Sequence, residues 1–417
     1  MFYLVITGFI LIVDTYAFQA VKSATRELAA PFRHSIRFLY WSFTALTIGV
    51  FTLALVFQFQ DWSPGVRAFL FSTIMLVYIA RLFTIPFLLA EDIYRIVSWI
   101  AGLFHSSQGT ATGQSLITRS QFIGQVAMVA GGIPLILGLH GMMRNAYNYR
   151  IYRTRLVLPH LPDAFNGLKI VQLSDIHTGS FVSHAQVERG VRMVMDENPD
   201  LVFFTGDLVN YYADEALGFI DIFKQIKAKE GVYSIFGNHD YGDYIRYGSE
   251  RERIRRKAEY KKQMIDIHHR MGWDVLLNEN RLLRKGNQSL AIIGSENWSA
   301  NGRFHTYGDM QKAVKGSESA DFKILLSHDP THWRGEVLSK YPDIDLTLSG
   351  HTHGGQFGIE IPGYIRWSPS QYIYREWAGL YKEGRQYLYV NRGFGFLGFH
   401  GRVGILPEIT VIELVKA

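Results

Sequence analysis

Cysteine is absent from the 417 residues, which excludes disulfides and thiolate metal sites and leaves the redox state of the compartment open. Charge is absent from long stretches as well. Phe38 to Phe57 carries none, is rich in aromatic and aliphatic residues, and is about long enough to cross a ~30 Å hydrocarbon core. Ser120 to Met143 contains no Lys, Arg, Asp or Glu, and Ala68 to Ala90 is interrupted only by Arg81. The first apolar run, Met1 to Val13, continues past Asp14 to Val21. It lacks the basic n-region and small-residue cleavage site of a signal peptide. Runs so long and so poor in charge argue against a buried bundle in a soluble protein. They predict an all-α region over residues 1–150 with four transmembrane helices near 2–20, 38–58, 67–90 and 121–142. Asp14 and Arg81 are intramembrane charges and invite a functional explanation. No internal repeat is visible.

The chain is longer than a usual single domain, so two units are expected, with the second over 151–417. Up to Arg150 there are 10 Lys/Arg against 5 Asp/Glu, while the remainder holds 33 against 32. The basic surplus therefore belongs to the apolar half and suits an anionic membrane surface; no nucleic acid partner is expected. Sidedness is balanced. Six basic residues flank the spans on one side (Lys22, Arg26, Arg33, Arg37, Arg95, Arg119) and five on the other (Arg67, Arg144, Arg150, Arg153, Arg155).

Ser98 to Ser120 is Gly, Ser and Thr rich and reads as a loop with a short amphipathic start. From Ile151 the pattern changes to short apolar runs separated by polar helical stretches. Strands are expected at Leu168–Leu173, Leu201–Thr205, Val232–Phe236, Leu290–Ile293, Phe322–Leu326, Ile344–Leu348 and Tyr387–Val390. Helices are expected at Glu188–Glu197 and Asp214–Lys229. The alternation predicts an α/β architecture with a buried sheet core, and such sheets place catalytic groups at strand ends.

Short polar motifs stand at the ends of those apolar runs: Asp175-Ile-His177, Gly206-Asp207, Gly237-Asn238-His239-Asp240, Ser327-His328 and Gly350-His351-Thr352-His353. Together they offer carboxylate, imidazole and amide donors, the types a pair of borderline divalent metals takes. Cleaving a phosphate ester needs an activated water and relief of charge on the phosphoryl and leaving oxygens, which two cations about 3.5–4 Å apart supply. Each fragment alone is weak, since a Gly-Asp after a strand is usually a turn and a lone His is usually a satisfied core residue. Gly-Asn-His-Asp and Gly-His-Thr-His are more specific, because their glycines allow tight turns under a polar tip.

In order and spacing the set resembles the calcineurin-like metallophosphoesterase superfamily. Asn166-Gly-Leu-Lys-Ile-Val-Gln-Leu-Ser174, Leu348-Ser-Gly-His-Thr-His-Gly-Gly-Gln356 and Asn391-Arg-Gly-Phe-Gly395 resemble a bacterial membrane-associated branch that includes UDP-diacylglucosamine pyrophosphatases. The resemblance covers roughly Tyr152 to Val415 and implies a four-layer α/β/β/α sandwich with two divalent ions, Mn favoured over Fe or Zn. It implies that Asp175, His177 and His353 bind one metal and Asn238, His328 and His351 the other, with Asp207 as the bridge. It makes His239 the catalytic histidine near the phosphate, gives Asp240 an orienting role, and lets Arg392 and Arg402 contact a substrate phosphate.

A basic helical insertion is expected at 243–272. From Arg246 to Lys262 it has eight basic residues against Glu250, Glu252 and Glu259. It would either hold anionic headgroups or be a solvated helix laced with Glu-Arg pairs. His268 and His269 are taken as non-ligands. The expected activity is hydrolysis of a lipid-linked or cell-envelope phosphate or pyrophosphate by an integral protein of a bacterial inner membrane, with membrane lipids as partners. The alternatives are a tethered phosphodiesterase or phosphatase on soluble nucleotides or phosphoproteins, a non-catalytic membrane sensor or scaffold, and a transporter with a regulatory domain.

Overall fold

The computed structural model describes residues 2–57, 62–104, 119–245, 247–361 and 363–417. Arg246 and most of the Gly, Ser and Thr rich stretch before Ser120 lie outside the described residues. The chain divides into two compact units, Met1–His140 and Gly141–Ala417.

The first unit is helical: α1 (Phe2–Ala24), α2 (Ala30–Val56), α3 (Pro64–Phe104) and α4 (Arg119–Met143). Each contains a segment long and apolar enough to cross a membrane. The third differs from expectation. It runs 41 residues, through Glu91 and Asp92 and on past Ser98, where a loop was expected. Loss of apolarity marks the end of a span, whereas a helix ends only where capping or breaking residues end it. Asp92 stays within the helix and accepts the Tyr16 hydroxyl at 2.8 Å.

Asp14 and Arg81 have a structural use. Arg81 Nη1 lies 2.5 Å from Asp14 Oδ1, and the other carboxylate oxygen accepts the hydroxyls of Thr44 and Tyr78 at 2.6 and 2.8 Å. Arg81 also sits 4.2 Å over the Tyr40 ring. One buried carboxylate thus ties α1, α2 and α3 together where no water can compensate a lost partner.

Among its described residues the second unit contains fourteen strands. They are β1 (Arg150–Leu158), β2 (Lys169–Leu173), β3 (Leu201–Phe204), β4 (Val232–Ser234), β5 (Asp274–Val275), β6 (Glu279–Lys285) and β7 (Gln288–Gly294). There follow β8 (Phe322–Leu326), β9 (Leu346–Ser349), β10 (Ile359–Ile361), β11 (Ile365–Trp367), β12 (Gly379–Glu383), β13 (Gln386–Val390) and β14 (Glu408–Lys416). One six-stranded sheet has the order β1-β14-β2-β3-β4-β5 and the other β12-β13-β9-β8-β7-β6. β2 to β5 run parallel, as do β7, β8, β9 and β13, so the central strands are buried on both faces and read as continuous apolar runs.

The inner faces of the two sheets meet in one core, where Ile170, Phe203 and Ile235 pack with Ile292, Ile324 and Leu348. The outer face of the first sheet is covered by α5 (His184–Asp196) and α7 (Glu250–Met271), and that of the second packs on Trp333 and Val337. This is the four-layer α/β/β/α arrangement. The helix expected at Asp214–Lys229 is not continuous. A 3-10 segment, Ala213–Phe219, leads into a single turn α6 (Ile220–Phe223). Glu215 caps the preceding loop by accepting from the Asn210 amide at 2.6 Å, and the tight turns bring Phe219, Ile220, Phe223 and Ile226 onto one core.

Helix α7 is the basic segment. Ser249 caps it by accepting from the Glu252 amide, and Gly272, at φ 79°, ends it. Its outer face pairs Arg253 with Glu250 and Arg256 with Glu252, while Tyr260, Met264, Ile267 and His268 face the core. Lys257 and Lys261 reach Asp243 and Glu296. The Glu-Arg-laced helix is the form adopted.

Replacing Asp14 by Ala strands Arg81 among apolar helices and should cost about 3–5 kcal/mol of stability. Thermal unfolding of the full chain in detergent checks this; an unchanged midpoint would mean that the pair carries no load.

Candidate metal centre

Every motif follows a central strand. β2 delivers Asp175 and His177, β3 delivers Asp207, β4 delivers Asn238 and His239, β8 delivers His328, and β9 delivers His351 and His353. The first sheet supplies the acids, Asn238 and two histidines; the second supplies three histidines. Five of these residues, Asp175, His177, Asp207, His351 and His353, have φ between 51° and 70° without being glycine. Left-handed backbone costs an ordinary residue on the order of 1–3 kcal/mol. Such a concentration at strand ends shows the backbone bent to aim side chains inward. Gly350 sits where a Cβ would overlap Ser174 and Asp175, so only glycine lets β9 pass the first motif.

Two groups result. Asp175, His177 and His353 offer ligand atoms within 4.8 Å of one another, and so do Asp207, His328 and His351. Asp207 Oδ2 lies 3.2 Å from His328 Nε2 and 3.5 Å from His177 Nε2, which puts one carboxylate oxygen between the groups. Its other oxygen accepts the His239 amide at 2.9 Å.

The rings are held by their far atoms. His177 Nδ1 is 3.1 Å from the Val209 carbonyl and His328 Nδ1 is 2.7 Å from the Thr205 carbonyl, so these nitrogens carry the protons and both Nε2 atoms turn inward. His351 Nε2 meets the Tyr374 hydroxyl at 2.9 Å, leaving Nδ1 toward His328. His177 Nε2, His353 Nε2 and Asn238 Oδ1 are buried without a hydrogen-bond partner among the described residues. Buried lone pairs with no donor are costly, and divalent cations are the kind of group that satisfies such atoms. The donor set fits such ions.

Burial pushes the His177 imidazole down to about 3. Burial acts the same way on His328, yet the charges of Asp207 and Asp175 win and raise it to about 10. Asp207 is correspondingly well below the usual carboxylate range: burial opposes this, and the imidazoles of His328 and His239 outweigh it. Asp175, buried and close to Asp207, rises to about 6. The cavity therefore stabilises one carboxylate only by holding a compensating positive charge against it.

His239 belongs to neither group. It is half-buried at the rim, its Nδ1 2.6 Å from the Asn210 carbonyl and its ring stacked on Tyr244 at 4.4 Å. Tyr244 in turn accepts from Asn238 Nδ2 at 2.7 Å, turning Asn238 Oδ1 the other way. Asp240 orients the loop that carries Asp207 rather than His239: its carboxylate accepts the amides of Asp207, Leu208 and Gly237 at 2.8, 2.9 and 2.9 Å.

Arg392 and Arg402 depart from expectation, because both are buried and all but one of their donor nitrogens are used inside the protein. Arg392 pairs with Glu408 at 2.5 Å and Glu360 at 2.6 Å. Arg402 donates to the carbonyls of His353, Arg392 and Gly395, and its guanidinium lies 3.4 Å from His353 Nδ1. They hold the loops around His353, and of their guanidinium nitrogens only Arg392 Nε is without a hydrogen-bond partner among the described residues. His268 bonds Ser234 at 2.8 Å, away from the site, and His269 is exposed. Asn210, Tyr244, Asp329 and Tyr374 were not foreseen. Asp329, whose Oδ2 is 3.7 Å from His351 Nε2, directly follows His328 in sequence and was the one within reach.

The profile described as "Probable Calcineurin-like phosphoesterase, transmembrane domain" matches residues 1–146, and that of the calcineurin-like phosphoesterase matches 168–355. A "Transmembrane protein with metallophosphoesterase domain" from Danio rerio is 30% identical over 292 residues, 68% of this chain and 62% of that protein. The chain thus spans less than two thirds of that relative. The uncharacterized metallophosphoesterase YkuE of Bacillus subtilis is 30% identical over 305 residues, 72% of this chain and 98% of YkuE. Phosphodiesterase YaeI of Escherichia coli is 27% identical over 252 residues, 59% of this chain and 82% of YaeI.

Replacing Asp240 by Asn presents an amide N–H to three backbone donors. It should lower metal affinity and activity about 10–100-fold while the fold persists. Metal content and turnover of the purified variant test this, and wild-type values for both would remove Asp240 from the support of the site.

Proposed function

Because the chain belongs to the calcineurin-like phosphoesterase family, we propose that it is a membrane-anchored two-metal hydrolase acting on a lipid-linked or cell-envelope phosphate ester or pyrophosphate. Integral membrane location and metal-dependent phosphoester hydrolysis go with that family and its transmembrane relatives. The residue roles and the substrate are our reading. The observation that carries the residue roles is the Asp207 oxygen lying within 3.5 Å of an imidazole from each group.

In this reading Asp175, His177 and His353 hold one divalent cation, Asn238, His328 and His351 hold the other, and Asp207 serves both. Mixed nitrogen and oxygen donors without thiolate suit Mn, Fe or Zn, and we favour Mn. When bound, the cations lower the pKa of water and neutralise phosphoryl oxygens. The protein's own part is positional. The Val209 and Thr205 carbonyls fix two tautomers, and Asp240 fixes the loop of the shared carboxylate. His239 has Nδ1–H committed to the Asn210 carbonyl, which leaves Nε2 free; in the imidazolium form its Nε2–H would give a proton to the leaving oxygen. Residues outside both metal groups but within reach of them are suited to that role. The membrane spans support an amphiphilic substrate, since they keep the catalytic unit where such molecules concentrate.

With Mn²⁺ the full chain should hydrolyse a bis-aryl phosphate, and Asp207→Ala should abolish this with loss of bound metal. His239→Gln should lower turnover about 10²–10⁴-fold with metal content intact; equal loss of both would make His239 a ligand instead. A panel of lipid pyrophosphates, nucleotide sugars and phosphopeptides tests the substrate class, and preference for the soluble members would overturn the lipid assignment.

A further inference from the structure

The β10–β11 hairpin is inside out. Its antiparallel register pairs Ile359 with Trp367 and Ile361 with Ile365, so these four side chains share one face. That face is exposed: Ile359 is 52%, Ile361 49%, Ile365 51% and Trp367 38% accessible. The opposite pair is Glu360 with Arg366. Glu360 turns inward, accepting from Tyr152 at 2.9 Å and pairing with Arg392, and Arg366 lies over the Trp377 ring. A hairpin facing water on one side carries its polar residues outward. Here Glu360 packs on the protein and the apolar pairs are presented to the surroundings, while Arg366 stays exposed beside Trp377. Tyr364 at the tip is 87% exposed, and Tyr372 and Ile373, just beyond the hairpin, are 76% and 63% exposed. Concentrated apolar exposure of this kind marks an interaction surface, and Trp and Tyr among branched aliphatics is the composition of a membrane interface.

The hairpin is rooted at the start of its own compact unit. The compact unit that carries the metal centre begins at Gly141, within the last turn of α4. The Gly141 carbonyl accepts the Arg402 amide at 3.3 Å, the Val403 amide donates to Gln356 at 2.8 Å, and Gly358 donates to Val403 at 2.9 Å. Two backbone steps therefore connect Gly141, the first residue of this unit, to the base of the hairpin. A cavity of about 670 Å³ beside that base is lined by Arg150, Tyr152, Arg366 and Leu380. Arg150 and Arg366 are exposed, which is the charge an anionic headgroup layer attracts. Both ends of the hairpin lead to the metal centre, from His353 through Gln356 on one side and to Tyr374, the partner of His351, on the other.

We propose that the apolar face of β10–β11, with Tyr364, Tyr372 and Ile373, lies in the interface of the lipid bilayer in which the chain is anchored. Its two strands hold the His351–His353 loop at headgroup level. The inference rests on the membrane assignment and not on the choice of substrate.

The absence of cysteine makes the test direct. Tyr364→Cys and Ile361→Cys, each carrying a nitroxide, are reconstituted as full chains in vesicles of phosphatidylcholine and phosphatidylglycerol. Leu217→Cys, at an exposed apolar position in the 3-10 segment before α6, is the reference. Collision with oxygen against a water-soluble nickel complex should place the 361 and 364 labels about 5–10 Å into the headgroup and acyl boundary and leave 217 in water. Nickel accessibility at 361 and 364 equal to that at 217 would overturn the proposal. Dipolar broadening at those sites would overturn it too, because it would identify a second copy of the chain as the occupant. Soluble-substrate preference with lipid-embedded labels would sink the lipid-substrate reading while leaving this one intact.

Discussion

Asp207 holds its negative charge buried between imidazoles that come from different sheets. A carboxylate so placed demands compensation, and the surrounding structure supplies it from several directions. His328 is drawn to a higher proton affinity, the His239 amide is turned onto one oxygen, and Asp240 fixes the backbone that presents the group. Because His177 approaches from the strand beside it and His328 from the facing sheet, the two sheets must meet in one register. The hydrophobic core between Phe203, Ile235, Ile324 and Leu348 sets that register. The stability of the sandwich and the geometry of the site are therefore one constraint seen at two depths.

The same logic recurs in the helical unit with opposite economy. There Asp14 meets Arg81 and two hydroxyls, and the compensation is complete within the protein. At the metal centre it is incomplete by design, since His177, His353 and Asn238 each leave an atom unsatisfied. A fully paired buried charge ties helices together; a partly paired cluster is a place for something else to bind.

Much of this was legible in the sequence, for identifiable reasons. Central parallel strands are buried on both faces, so Leu201–Phe204 and Phe322–Leu326 read as uninterrupted apolar runs, and the polar motifs stood out against them. β1 and β14 were harder. β1 alternates Arg with apolar residues at the sheet edge, and β14 returns from the far end of the chain to separate β1 from β2. No local pattern encodes that pairing. Helix α3 was misjudged because apolarity and helicity end at different residues. Arg392 and Arg402 were misjudged because a sequence does not say whether a cation faces a ligand or a carbonyl. Asn210, Tyr244 and Tyr374 act through single hydrogen bonds to ligand-bearing residues, and nothing in a residue's type announces such a contact.

The division of donors between the sheets also bears on the order in which the molecule can be made. Asp175, His177, Asp207 and Asn238 leave the ribosome well before His328, His351 and His353, and β14, which completes the first sheet, comes last of all. The left-handed turns at Asp175, His177 and Asp207 thus have no partner from the second sheet until late in synthesis. Their strain, present in the complete structure, is offset only once the distant imidazoles arrive. Long-range closure of this sort is slow compared with local helix formation, so the membrane helices can be in place while the centre is still open. Neither three-residue group is complete until its last histidine has been made, so metal capture by them would wait on that closure.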